Sequence, residues 1–145
     1  MKRNVLFVCI HNSARSQMAE AFLNAMCPEE FAAESAGLER GTLSPLAVAA
    51  MHEVGLDISQ NETKSVADLL GAGRVYSHVI TVCDETSAER CPVFPGEARR
   101  LQWSLADPAS LQGSWDTRLA ATRAIRDEIR EHAARWCSEN CRADR

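Results

Sequence analysis

The apolar positions along the chain alternate between two kinds of pattern. Asn4 to Cys9 (NVLFVC) is a near-continuous apolar run, the signature of a strand buried on both faces of a parallel sheet. Tyr76 to Val82 (YSHVITV) predicts a second strong strand, while Phe31 to Ala36 and Arg99 to Trp103 predict two weaker ones. Between them the spacing becomes helical. Ser13 to Met26 carries Ala14, Met18, Ala21, Phe22 and Ala25 at that spacing and ends at Cys27-Pro28. Ser44-Pro45 predicts a helix start with proline at its first position, and LAVAAMHEVG runs from there to a glycine stop. Val66 to Leu70 predicts a short helix. Ser114 to Trp136 predicts a long amphipathic one, with Leu119, Ile125, Ile129 and Ala133 on one side. The stretch from Asp84 to Ala98, with two prolines and many polar residues, reads as irregular.

Strands alternating with helices predict an α/β fold. The expected form is a three-layer sandwich, a four-stranded parallel sheet with right-handed crossovers and helices on both faces. No repeat, linker or low-complexity segment interrupts it, so residues 1–145 read as a single domain.

Composition narrows the function classes. A net charge of −4 argues against nucleic acid or an anionic membrane surface as a partner, so any bound anion must be held by local design. No apolar run approaches the ~20 residues of a membrane span. The apolar stretch in MKRNVLFVC is only about five residues, too short for a signal segment, and the expected location is the cytoplasm. There, six cysteines (Cys9, Cys27, Cys83, Cys91, Cys137 and Cys141) point to catalysis, redox exchange or metal binding rather than to a structural disulfide framework. The C-x7-C and C-x3-C spacings of the last four fit a structural zinc site poorly, and no metal is expected. Cys27 reads as a small apolar filler, and Cys137 and Cys141 as incidental.

Cys9 to Ser16 (CIHNSARS) fits C-x5-R-S between a predicted strand and a predicted helix. A loop entering a helix N-terminus aims backbone N–H groups at one point, and the helix dipole adds positive charge there. The amides of His11, Asn12, Ser13 and Ala14 would form the cradle. Arg15 would supply a bidentate fork for two oxygens, and Ser16 a hydrogen bond to the Cys9 sulfur. Asn12 tolerates left-handed backbone and would hold the turn. The same field favours a thiolate at Cys9, at the floor of a tetrahedral oxyanion site. A buried cysteine beside a surface arginine is the plainer alternative, and the strand–loop–helix context disfavours it. His11 reads as a loop residue near the site rather than a general base.

Two further segments follow predicted strands and so open on the same sheet edge. Asp107 in ADPAS could protonate a leaving oxygen, the plain alternative being an Asp-Pro turn. Cys83 and Cys91 in CDETSAERC could attack a sulfur adduct on Cys9 and then the resulting disulfide; the alternative is a pair of buried cysteines.

CIHNSARSQMAEAF, VCDETSAERCPVFPG and the ADP turn, in that order, resemble the thioredoxin-coupled arsenate reductases built on the low-molecular-weight tyrosine phosphatase fold. The resemblance implies a three-cysteine relay. Cys9 attacks arsenate, Arg15 and the loop amides hold its oxygens, and Asp107 protonates the departing hydroxide. Cys83 then attacks Cys9 and releases arsenite, and Cys91 attacks Cys83. It also implies thioredoxin as the external reductant, no bound cofactor, phosphate and sulfate as competing oxyanions, and a monomer. Where some members carry a second cysteine before the loop arginine, this chain has Ala14. Where some bind potassium through residues matching Asn12, Glu20, Ser35 and a downstream aspartate, this chain has Lys64 in the aspartate's place, which implies no potassium dependence. An exposed loop lysine is the alternative. The rivals are a phosphatase, which gives Cys91 no role and usually has tyrosines at the Asp-Pro turn where this chain has only the distant Tyr76, and a non-enzymatic oxyanion or redox-sensing module. Slow hydrolysis of aryl phosphates would still suit the cradle.

Overall fold

The computed structural model describes residues 3–12, 14–82, 98–105 and 112–140. Strands β1 (Arg3–Cys9), β2 (Phe31–Gly37), β3 (His78–Thr81) and β4 (Arg99–Gln102) form one parallel sheet in the order β2-β1-β3-β4. Helices α1 (Arg15–Met26), α2 (Pro45–His52), α3 (Val66–Gly71) and α4 (Trp115–Asn140) cover it.

The apolar run of β1 is buried from Val5 to Cys9, and its pleat divides it between two cores. Val5, Phe7 and Cys9 pack with Met18, Phe22 and Leu23 of α1, Ala47 and Met51 of α2, and Ile125, Ile129, Ala133 and Trp136 of α4. Leu6 and Val8 face the other way, against Val66 and Leu69 of α3 with Tyr76 and Val79. The sandwich expected from the sequence is the observed one. β4 is an edge strand with all four residues exposed.

Several boundaries move for identifiable reasons. β3 is shorter than Tyr76 to Val82 because its partners, Val5 to Val8 of β1 and Arg99 to Gln102 of β4, span only four residues. α2 stops at His52, and Gly55, at φ 81°, lies in the turn beyond, where Leu56 N–H donates to Met51 O at 3.0 Å. Ser44 caps α2 by accepting from Ala47 N–H, with Pro45 at the first position. Ser65 and Asp68 form a reciprocal capping box on α3. α4 continues past Trp136 to Asn140, since no glycine or proline stops it. In α1, Ala25 is exposed and Ala19 and Leu23 are buried instead, a rotation of the predicted face.

One expectation is overturned. Cys27, at the C-terminal cap of α1, and Cys137, near the end of α4, are joined in a disulfide. They are neither filler nor incidental, and a disulfide that composition argued against is present. The packing of α4 along α1 brings together residues 110 positions apart, which spacing alone does not reveal. Cys141 lies outside the described residues.

Candidate active site

β1 ends at Cys9 and α1 begins at Arg15, so the C-x5-R segment is the connection between them. The residues following β2 fix its path: Leu38 N–H donates to Cys9 O, Glu39 N–H to Ile10 O and Gly41 N–H to His11 O, all at 2.8–2.9 Å. The approach is close enough to dictate a residue type. A β-carbon on Gly37 would lie 2.6 Å from Asn12 N and 2.5 Å from Glu39 O, both backbone atoms that cannot swing aside. Ala14, at the N-cap of α1, offers no capping side chain, and no acidic residue occupies the first turn. The positive end of the helix is therefore left for a ligand.

Cys9 is buried and is not in a disulfide. Its Sγ accepts from Asn12 N–H at 3.1 Å and lies 2.9 Å from Ser16 Oγ. Asn12 Nδ2 donates to that same Oγ at 2.8 Å, and the hydroxyl keeps its own hydrogen for a Cys9 thiolate. Both contacts lie on the side of the sulfur that faces the loop and the start of α1.

Asn12 is fully buried with φ at 56°, the left-handed backbone that its short side chain tolerates. Its Oδ1 accepts from Lys64 N–H at 2.8 Å and from Gln17 Nε2 at 3.1 Å, and its backbone carbonyl also accepts from Gln17. Gln17 in turn donates to Glu62 O and accepts from Asn61 Nδ2. The loop after Cys9 is thus tied to the segment before α3 through buried amides. Sequence reading gave Gln17, Asn61 and Gly37 no role. Gln17 carried no signal of its own in the sequence, since its burial in the first turn of α1 follows only from the fold.

The supporting residues come together at one point. Ser35 Oγ donates to Glu20 Oε1 at 2.9 Å, and Lys64 Nζ lies 4.0 Å from the same oxygen. Burial pushes the Glu20 carboxyl above its ordinary range, while the Ser35 hydroxyl and the Lys64 ammonium oppose that shift. Lys64 is therefore an ion-pair partner as well as a backbone donor to Asn12.

Arg15 is buried, and its Nη1 donates to Leu105 O at 3.2 Å, reaching the segment that leads to Asp107. His11 is exposed at the rim, its Nε2 3.6 Å from a Glu39 carboxylate oxygen, and is not part of the buried network. Ser13, Cys83, Cys91 and Asp107 lie outside the described residues. Among the described residues, no group of three or more His, Cys, Asp or Glu side chains could hold a metal ion, and no helix is long and apolar enough to cross a membrane.

The arsenate reductase of Shouchella clausii is 39% identical over 129 residues, covering 88% of this chain and 90% of that protein. That of Bacillus subtilis is 39% identical over 127 residues, covering 86% and 88%. A solved arsenate reductase in its phosphate-binding state superposes with a TM-score of 0.74 at 32% identity, covering 96% of this chain and 98% of its own. The tyrosine phosphatase amsI of Erwinia amylovora, at 23% identity and a TM-score of 0.76, shares the fold. The sequence profile of the low molecular weight phosphotyrosine protein phosphatases matches residues 4–144, and the chain belongs to that family.

Proposed function

We propose that this protein reduces arsenate to arsenite through a relay of three thiols. The observation that carries the reading is Cys9. Its buried sulfur accepts from Asn12 N–H and lies 2.9 Å from the Ser16 hydroxyl oxygen at the end of a parallel strand, beneath an uncapped helix N-terminus. A thiolate so placed is set to attack the centre of a tetrahedral oxyanion held by the loop amides and Arg15. The arsenate reductase relatives over most of the chain support arsenate as that oxyanion.

In the first step the Cys9 thiolate bonds to arsenic(V), and one arsenic oxygen leaves as water on taking a proton from Asp107. The Cys83 thiolate then bonds to Cys9 Sγ. The arsenic–sulfur bond breaks with its electron pair going to arsenic, which departs as arsenite, and a Cys9–Cys83 disulfide remains. Cys91 displaces Cys9 from Cys83, restoring the Cys9 thiolate and leaving a Cys83–Cys91 disulfide. A dithiol protein of the thioredoxin type supplies two electrons and two protons to reopen it. Phosphate and sulfate fit the same cradle and compete without being reduced. Glu20, Ser35 and Lys64 act as positioning residues that hold Asn12 and, through it, the loop. The protein works as a cytoplasmic monomer on this reading and uses no bound cofactor.

The test is NADPH oxidation coupled through thioredoxin and its reductase. Arsenate should drive turnover in the wild type, and Cys9→Ser, Cys83→Ser and Cys91→Ser should each lose roughly a thousandfold or more. Full turnover by Cys91→Ser would shorten the relay. A wild type inert to arsenate but able to hydrolyse an aryl phosphate through Cys9 would make it a phosphatase. The family's phosphatase membership makes a weak activity of that kind the expected side reaction.

A further inference from the structure

The relay gives no task to the other cysteine pair that the fold brings together. Cys27 closes α1, and Cys137 lies near the C-terminal end of α4, with Cα atoms 6.1 Å apart. That separation falls inside the roughly 4.4–6.8 Å range in which two cysteines join without backbone movement. Both are buried, in the same core as Phe31 and Trp136, whose rings meet edge to face at 4.6 Å. Arg3 of β1 also reaches the end of α4, donating to Asn140 O at 3.3 Å. The pair lies at the far end of α1 from Cys9. Twelve helical residues at about 1.5 Å each separate the two ends by about 18 Å, too far for direct thiol exchange with Cys9.

We propose that Cys27 and Cys137 form a second thiol–disulfide couple, chemically separate from the Cys9 site, which locks α4 onto α1 when oxidised. The oxidant class is a low-molecular-weight disulfide. One thiolate of the pair attacks it, forming a mixed disulfide and releasing one external thiol; the second cysteine attacks the first cysteine's Sγ and releases the other external thiol. Two protein thiols and one external disulfide thus become one protein disulfide and two external thiols, with two electrons and two protons transferred. A dithiol reductant reverses the exchange.

The consequence is a redox-dependent stability. The bond closes a chain segment of 110 residues, which strips much conformational freedom from the unfolded ensemble. The folded state barely changes, because two reduced thiols at the same positions remain small apolar side chains in the same core. Because both sulfurs are buried, exchange requires the last turns of α4 to lift from α1, which sets the couple's rate apart from that of an accessible disulfide. The inference does not depend on what oxyanion Cys9 attacks.

The experiment equilibrates reduced full-length protein in buffers of graded oxidised-to-reduced glutathione, traps free thiols with iodoacetamide and maps peptides without reduction. A Cys27–Cys137 cross-linked peptide should accumulate as the buffer becomes oxidising and vanish with dithiothreitol. The melting temperature should rise by about 10 °C on oxidation. Cys27→Ala and Cys137→Ala should each abolish that rise, while their arsenate-dependent turnover under reducing conditions stays within about twofold of wild type. Recovery of Cys27 and Cys137 alkylated at every glutathione ratio would overturn the proposal, as would wild-type melting that is unmoved by oxidation or a rise that survives in both variants. The peptide map and the melts need no turnover, so they separate this couple from the fate of the relay.

Discussion

Asn12 and Ser16 meet through a 2.8 Å hydrogen bond in which the asparagine amide donates to the serine hydroxyl oxygen. A Cys9 thiolate has no hydrogen to give, so against it the Ser16 hydroxyl, 2.9 Å from Sγ, is the donor.

Replacing Ser16 with alanine removes that donor but leaves Asn12 N–H on the sulfur. A hydrogen bond to a charged group contributes about 1.5–3 kcal/mol, so turnover should fall roughly 10- to 100-fold. The rate of Cys9 alkylation by iodoacetamide at neutral pH should fall with it. Asn12→Ala should cost more, because it also strips the acceptor from Lys64 N–H and Gln17. Equal alkylation rates in Ser16→Ala and wild type would sink the assignment.

Gly37→Ala tests the close approach behind the loop. The new methyl would meet Glu39 O and Asn12 N, with 2.5–2.6 Å to each, and both belong to the main chain. Overpacking against backbone typically costs about 1–3 kcal/mol or more, and relief here must displace the loop after Cys9. The variant should therefore melt several degrees lower and bind phosphate at least ~10-fold more weakly. Gly71→Ala, where nothing lies within 4 Å, is the control that should change neither.

The contrast between local and long-range signals explains what could be read ahead of the structure. β1, α1 and the loop between them announce themselves because a buried strand, a C-x5-R-S segment and a helical period are all contiguous in sequence. The Glu20, Ser35 and Lys64 cluster was legible only through likeness to a family, since nothing local says that three residues on three segments converge. Cys27 and Cys137 were misread for the same reason: their encounter depends on how α4 lies along α1. Gln17 was overlooked because an interior helical glutamine becomes informative only once its partners at Asn12, Asn61 and Glu62 are known.

Lys64 should matter more at high pH than at low pH. Burial raises the Glu20 carboxyl above its ordinary 4.5, so the folded state takes up the Glu20 proton more readily than the unfolded chain does. That contribution to stability is fully present below about 4.5 and is lost as pH rises through the folded-state value. The Lys64 ammonium opposes the loss by pairing with the ionised form at 4.0 Å. Lys64→Met should therefore be nearly neutral near pH 4 and destabilising by about 0.5–1 kcal/mol at pH 8, a drop of a few degrees in melting temperature. Wild-type turnover should not change when potassium is replaced by choline at constant ionic strength. A potassium-stimulated wild type would contradict the view that the ammonium occupies the cation's role.

His78 gives the opposite pH dependence. It is buried on β3, its ring edge-on to Trp136 at 5.1 Å and its Nδ1 2.9 Å from Ser77 Oγ. Burial, reinforced by Arg3 and Arg99, holds its imidazolium form below the ordinary 6.5. The unfolded chain therefore takes up the proton first as the solution is acidified. Stability from this residue is fully present above about 6.5 and is lost as pH falls toward the folded-state value. His78→Gln cannot be protonated and should flatten the fall in melting temperature between pH 7 and pH 5. It should also lose the ring contacts with Phe31 and Trp136, at a cost of about 1–2 kcal/mol at pH 7. The two melting curves should converge as the pH drops. Parallel curves over that range would mean that His78 does not titrate on unfolding there, and the acid sensitivity would have to be sought in another group.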